Sequence, residues 1–430
     1  MAKNAVLSGP IPAGHPSHLA ITLWDFSWYT AAGPGEPYEN LSAAFDGAES
    51  RGYNTIRICA APMLLFGSEP SLAGPSRASV DSLARNLEIE GLGKTPLGGH
   101  YGAGTRWYNT PGGYSIDLQS RLLDLLRQAS TRGMKVILSS WEFQQSPAFA
   151  ADRQWHDYLQ SFREKERLMR LAEAFDRMLT AVSEVGLSDV IAFVELHNEI
   201  DFSVVPKDHE SLREAISFLK KRHPEHLITA SYGKPPHLDM ASVSEDLEVA
   251  QFHIYAYGVL DALQREIDIR EDETADFPNA ALRRLLRRDA PTPAEYGSPA
   301  PWKFEATVIT SQMVYGYDWV DPELWDRWLY DHFGEYRLLM RREITSRLEA
   351  VAAWSRRQNI PFVVGESWVG YTPLHADFED GSVGRSLAEL GMECAFDLGA
   401  WGVTPSSNSA PHHPAWNLSD WQRQVNSCWH

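Results

Sequence analysis

Two glutamates, Glu199 in V-E-L-H-N-E and Glu366 in V-V-G-E-S-W, stand at the ends of apolar runs that lie far apart in the chain. Brought face to face around a ligand, one protonated and one ionised, such a pair can cleave a glycosidic bond. Arg57 in N-T-I-R-I and Tyr255 in Q-F-H-I-Y suit the ionised member, since an opposite charge and a hydrogen bond to the anion both lower a carboxyl pKa. The other member, set near apolar walls such as Trp401, would be pushed up and serve as the acid. Which glutamate takes which part stays open at this level, and for either one alone a salt-bridged rim residue is the plain alternative.

Carboxylates from distant segments need a frame that brings strand ends to one pole. Apolar runs suited to strands cover 18–26, 53–59, 134–141, 190–197, 226–232, 248–255, 361–366 and 399–404. Amphipathic patterns at 41–51, 116–131, 164–185, 209–222, 236–244, 333–357, 383–397 and 418–427 read as the intervening helices. Eight strand-then-helix units predict an α/β fold, a closed (β/α)8 TIM barrel forming one domain over 1–430. A doubly wound sheet would call for a phosphate-cradling turn after a strand, and the glycines around Gly91 and Gly93 follow none. Long insertions at 60–115 and 256–332, after strands two and six, should wall the face where barrel active sites lie. The strand ends carry Trp24 and Asp25, Arg57, Trp141 and Glu142, Asn198 and Glu199, His253 and Tyr255, Glu366 and Trp401. Polar and aromatic residues that break the apolar rule at one pole only are the mark of a site.

Of the 430 residues, 39 are basic and 57 acidic, a formal charge of −18 that argues against a nucleic-acid or anionic-membrane partner. Fifteen tryptophans are more than packing calls for and suggest a flat, partly polar ligand. Cys59, Cys394 and Cys428 have no paired spacing, so a reducing compartment fits best. No leader pattern and no long apolar span is written in the chain, and a cytoplasmic location is the expectation. His197, His223, His226, His412 and His413 form no HxH or HExxH pattern; they read as core or turn residues, and neither a metal nor a cofactor is expected. The tryptophan-rich stretch around 302–330 could cap a pocket or bury against a second copy of the chain, which would make a homo-oligomer.

The ordered set N-T-I-R-I at 54–58, H-N-E at 197–199, H-I-Y at 253–255, V-V-G-E-S-W at 363–368 and A-W-G at 400–402 resembles the retaining (β/α)8 glycoside hydrolases of family 5, the cellulase and mannanase family. The resemblance implies that Glu199 is the acid/base, Glu366 the nucleophile and Asn198 the ligand of the sugar 2-hydroxyl. It further implies His253 beside the acid/base, Tyr255 on the nucleophile, Arg57 below it, and Trp401 as the platform under the sugar. Two positions depart from the pattern: Ile200 stands where the family has proline, and Trp141-Glu142 replaces a histidine at the end of strand three. The wall there, which touches sugar hydroxyls in the family, should differ. Trp24, Asp25, Trp141, Glu142, Trp368 and Asn408 are the further pocket candidates.

An enzyme kept inside the cell would not meet a polymer, and large tryptophan-rich loops suit a pocket for one terminal sugar, so the expected substrate is a small oligosaccharide or glycoside. Exo-β-mannosidase action comes first, with β-glucosidase and endo-acting glucanase or mannanase as alternatives. The reading from another class is a carbohydrate-binding barrel without catalysis.

Overall fold

The computed structural model describes residues 6–69, 74–236, 239–272, 274–370 and 372–429. Its main sheet is built from β1 (Leu19–Asp25), β2 (Thr55–Cys59), β3 (Lys135–Ser139), β4 (Ile191–Glu195), β5 in two pieces (Ile228–Thr229 and Ser231–Tyr232), β6 (Ala250–Tyr255), β7 (Phe362–Trp368) and β8 (Gly402–Val403). Every neighbouring pair in this sheet is parallel. The first piece of β5 pairs with β4, Val194 opposite Ile228, while the second pairs with β6, Ser231 opposite Gln251. The two ends of the sheet are thus halves of one strand on either side of Ala230, and the sheet closes on itself. This is the (β/α)8 barrel the alternating pattern predicts.

Helices α1 (Leu41–Ser50), α2 (Leu118–Thr131), α3 (Arg167–Glu184), α4 (His209–Arg222), α5 (Pro322–Gln358), α6 (Ser382–Asp397) and α7 (Ser419–Asn426) alternate with the strands. Side chains that stop the chain from fraying mark several starts: Asn40, Asp117 and Asp208 each accept the backbone N–H three residues on. Helix α5 begins earlier than its amphipathic pattern suggested, because Asp321 caps Glu323 and Leu324 and Pro322 occupies the first turn. The helix expected over 236–244 is only a short 3₁₀ turn, Met240–Ser242; residues 237 and 238 lie outside the described residues. No helix among the described residues is long and apolar enough to cross a membrane.

Inside the barrel, successive side chains alternate between the interior and the helices. At the N-terminal end of the barrel, Leu19, Ile21, Ile137, Phe193, Val249, Val363 and Trp401 form a dry cluster, closed from below by Leu7 and Ile11. The interior changes character abruptly above it, where Arg57, Glu195, Gln251 and His253 stand, all of them fully buried. A charged layer directly on an apolar plug is costly unless every charge is paired, and this requirement shapes the site.

Candidate active site

Arg57 projects from β2 and bonds three partners. Its Nε and Nη2 donate to Glu195 Oε2 and Oε1 at 2.9 and 2.8 Å, Nη1 donates to Glu366 Oε1 at 2.8 Å, and Nη2 also reaches Asn198 Oδ1 at 2.6 Å. Gln251 Nε2 donates to Glu195 Oε2 at 2.9 Å. A guanidinium with matched anions on two sides keeps its charge in the interior, and it fixes Glu366 and Asn198 from below. The Trp141 indole covers Arg57, with the guanidinium carbon 4.5 Å from the ring centre.

Glu366 sits where the β6–β7 register slips between Val364 and the glutamate. Gly365 makes the slip feasible, since a Cβ there would fall 2.5 Å from Gln251 Nε2. The second Glu366 oxygen accepts from Tyr255 O–H at 2.9 Å, so both of its oxygens are held as acceptors. Ser407 Oγ lies 2.7 Å from the same phenol oxygen.

Glu199 follows β4 in a left-handed backbone conformation, φ 44°, which costs an L-residue about 1–2 kcal/mol and here turns the carboxyl over the barrel mouth. Its N–H donates to Ser231 Oγ at 2.9 Å. Its oxygens face His253 Nδ1 at 2.8 Å and Gln144 Nε2 at 3.0 Å. Gln144 also accepts from Asn198 Nδ2 at 2.8 Å, so one amide sets both members of the Asn-Glu pair. Burial pushes the Glu199 carboxyl up to about 7, against the smaller opposing pull of Gln144 and Arg57. His253 is lowered by its own burial, and its Nδ1 also stands 3.6 Å from Glu366 Oε1. The arrangement pairs a carboxylic acid near neutrality with a second carboxyl whose two oxygens are presented as acceptors.

These groups open into a cavity of about 1020 Å³ lined by Asp25, Trp141, Gln144, Asn198, Glu199, Tyr255 and Glu366. Trp107 from the 60–115 stretch and Thr307, Val308 and Met313 from the 256–332 stretch also border it. Asp25, like Glu199, is left-handed, φ 42°. Its Oδ1 accepts from Ser27 N–H at 2.5 Å and Ser27 O–H at 2.6 Å, while burial raises the carboxyl to about 8. His412 continues this chain of bonds, Nε2 to Ser27 Oγ at 2.9 Å and Nδ1 to Tyr38 O–H at 3.2 Å.

Among the described residues, two trios bring metal-type donor atoms within 4.8 Å of one another: Asp25, His412 and His413, and Glu199, His253 and Glu366. In the first, the relay from Tyr38 through His412 and Ser27 to Asp25 assigns the His412 proton to Nε2, which turns that nitrogen into a donor.

Five of the anticipated pocket residues lie elsewhere. Trp401 precedes β8, so it belongs to the apolar plug at the opposite end of the barrel; its indole N–H donates to Pro16 O at 3.1 Å. Trp24 points outward by strand alternation and packs on Tyr38 and Phe45. Trp368 packs against α6, where a Cβ on Gly391 would lie 2.4 Å from its ring. Glu142 accepts from the Met63 and Leu64 N–H groups at 2.8 and 2.9 Å and from the Trp155 indole at 3.1 Å, a clamp for the segment after β2. Asn408 is buried on Asp380 at 3.3 Å. Two tryptophans of the second insertion are likewise used within the chain: Trp325 packs edge-to-face against Tyr317, and Arg287 covers Trp319. Conversely, Glu195, Gln144, Gln251 and Ser231 were not singled out from the sequence. A charge or amide inside an apolar run such as I-A-F-V-E or A-Q-F-H-I-Y was the available signal.

Residues 21–207 match the family described as cellulase-like, sugar-binding cellulase-like. No curated protein matches the chain in sequence. Among solved structures, a protein from Parabacteroides distasonis named as a candidate glycoside hydrolase superposes with a TM-score of 0.63 at 20% identity, covering 97% of this chain and 94% of that one. A family 5 mannosidase from Rhizomucor miehei superposes with a TM-score of 0.50 at 12% identity, covering 98% and 95%. Residues 21–207 are thus similar in sequence to the cellulase-like family, and the barrel that contains them shares its fold with these two solved structures.

Proposed function

We propose that this protein is a retaining β-glycoside hydrolase in which Glu366 is the nucleophile and Glu199 the acid/base. The observation that carries the reading is the closeness of the two carboxylates: Glu199 and Glu366 each place an oxygen within 4.8 Å of the other. Retaining enzymes hold their carboxyls about 5–5.5 Å apart, whereas inverting enzymes leave roughly 6.5–9.5 Å for a water.

In this reading Glu366 attacks the anomeric carbon while Glu199 protonates the leaving oxygen, and Glu199 then takes a proton from the water that releases the sugar. Arg57 and Tyr255 keep both Glu366 oxygens aligned. Asn198, held between Arg57 and Gln144, offers its amide to the sugar 2-hydroxyl. Trp141, in place of the family's histidine, and Asp25 line the same cavity and are the residues to test for contact with the sugar hydroxyls. Terminal β-mannosides are the first glycone to try, because the family 5 structure with the shared fold is named a mannosidase.

The test is a panel of aryl β-mannosides, β-glucosides, β-galactosides and β-xylosides, with the anomer of the first product read by NMR. A β-anomer from one of them, lost in Glu366→Ala while sugar binding persists, is the expected result. No turnover with any of the four would leave the carbohydrate-binding barrel without catalysis as the better reading, and an α-anomer would overturn retention.

A further inference from the structure

Beyond Asp25 and the two glutamates, the cavity wall carries five cations, Lys234, Arg265, Arg270, Arg342 and Arg347, against three anions, Asp261, Glu305 and Glu343. A positive excess here runs against the −18 of the whole chain. The three anions are all engaged. Asp261 pairs with Arg265 and lies 3.6 Å from Arg270, Glu343 pairs with the buried Arg347, and Glu305 meets His156 Nε2 at 3.1 Å. Arg347 is tied further to Tyr255 O at 2.8 Å.

Lys234 and Arg342 are different: both are exposed, and neither side chain has an ion-pair partner among the described residues. The acid nearest Lys234 in the fold, Asp201, is used by the backbone, accepting the Gly233 N–H at 2.8 Å and the Lys234 N–H at 3.3 Å. On α5 the residues three and four away from Arg342 are Leu338, Leu339, Thr345 and Ser346, none of them acidic. Two cations without a counter-charge add nothing to the fold through pairing, but they attract an anion that enters the cavity and give it hydrogen-bond donors.

Their place relative to Glu199 says which part of a substrate they meet. A Cβ placed on Gly233 would lie 2.6 Å from Glu199 Oε1 and 2.6 Å from the Phe202 ring, and Lys234 is the next residue along the chain. The acid/base protonates the leaving oxygen, so the group attached to that oxygen departs on this side. Trp107, Tyr257 and Tyr336 add further rings to the cavity wall. A group that suits both the rings and the cations has a flat or apolar body and a negative charge.

We propose that the leaving-group side of the cavity is a subsite for an aglycone that carries an anionic group, a carboxylate or a phosphoryl group, on a ring-sized body. The proposal rests on the glycosidase reading above and adds to it the charge of the part that is released.

The experiment uses phenyl β-glycosides of each of the four sugars that differ only at a para CH2 group, which bears a carboxylate, a phosphonate, a carboxamide or an ammonium. The methylene insulates the phenol, so the leaving groups are of similar acidity and differ mainly in charge. Both anions should exceed the amide in kcat/KM by about two- to fivefold for each cation contacted, mainly through KM, with the ammonium slowest. The advantage should shrink as ionic strength rises, and Lys234→Gln or Arg342→Gln should lower the anion-to-amide ratio. Both residues are exposed, so the variants should melt close to the wild type. The faster anion tells a carboxylate aglycone from a phosphorylated one. An anion-to-amide ratio at or below one, a ratio independent of ionic strength, or one that neither substitution lowers would overturn the subsite while leaving the glycosidase reading intact. Failure to cleave any of these glycosides would instead remove the glycosidase reading and the proposal with it.

Discussion

Arg57 and Glu195 meet through two parallel hydrogen bonds at 2.9 and 2.8 Å, with neither side chain exposed to solvent. The pair explains how an arginine can sit on an apolar plug and still hold Glu366. Removing one partner of a buried ion pair costs more than the pair contributes, because the remaining charge is stranded. Glu195→Ala should therefore lower stability by about 3–5 kcal/mol and release Arg57 from its register beneath Glu366. Denaturant unfolding measures the first effect and kcat on the best aryl glycoside the second. A variant of wild-type stability would show that Glu195 is not the counter-charge.

The two catalytic candidates predict an asymmetric pH profile. With Glu199 raised to about 7 by burial, kcat/KM should fall on the alkaline side as the acid loses its proton near that pH. Glu199→Gln should lose ~10²–10⁴-fold on glycosides with poor leaving groups and flatten the alkaline limb. A limb that persists unchanged in the variant would assign it to another group, Asp25 at about 8 being the nearest candidate.

Trp401 packs in the apolar floor of the barrel, so its truncation should act on stability and spare the sugar site. Truncating a fully buried indole costs about 3–5 kcal/mol, so Trp401→Ala should unfold at markedly lower denaturant. Its kcat/KM per folded molecule should stay at the wild-type value, measured where the variant is fully native. A selective rise in KM would return the residue to the binding site.

The contrast between Trp401 and Glu366 shows what could be read from residues alone. Glu366 ends an apolar run and is at the C-terminal pole whatever the exact strand limits. Trp401 lay inside an assumed strand over 399–404, but only Gly402–Val403 pair, which leaves the indole before the strand and at the other pole. Trp24 fails for a related reason: one step along a strand reverses the face, and its neighbours Leu23 and Asp25 are the ones that line the cavity. Strand order and closure were legible because apolar runs alternate with amphipathic ones over the whole length. Gln144 was not, because a glutamine in a polar loop carries no periodic signal; only the fold brings it to 3.0 Å from Glu199.

Stability should pass through a maximum and then fall between about pH 6.5 and 8. Burial lowers His197 and His226 to about 4 and His412 to about 3, so the unfolded chain binds their protons more tightly and stability rises with pH up to their ordinary value. Burial raises Glu142 and Glu199 to about 7 and Asp25 to about 8, so from their ordinary values upward the folded state holds protons the unfolded chain has released. Below pH 6.5 the two sets oppose each other; above it only the acids still titrate, and stability declines. Thermal unfolding across this range at fixed ionic strength measures it. Glu142→Gln should make the decline shallower while lowering stability overall, and a melting temperature that climbs steadily to pH 8 would contradict the burial of these carboxyls.

Gly233 gives the sharpest test of how Glu199, the proposed acid/base, is placed. The two atoms a Cβ there would strike at 2.6 Å belong to side chains, so the backbone just after β5 need not move. The Glu199 carboxyl must then shift from His253 Nδ1, its partner at 2.8 Å. A displacement of about an ångström at a catalytic group can cost ~10²-fold in rate. Gly233→Ala should consequently lose kcat on glycosides that need protonation while melting close to the wild type. Substrates with highly acidic leaving groups, which depart without a proton, should lose much less. An equal loss on both kinds of substrate would mean that the methyl group disturbs the sugar or Glu366 rather than the acid.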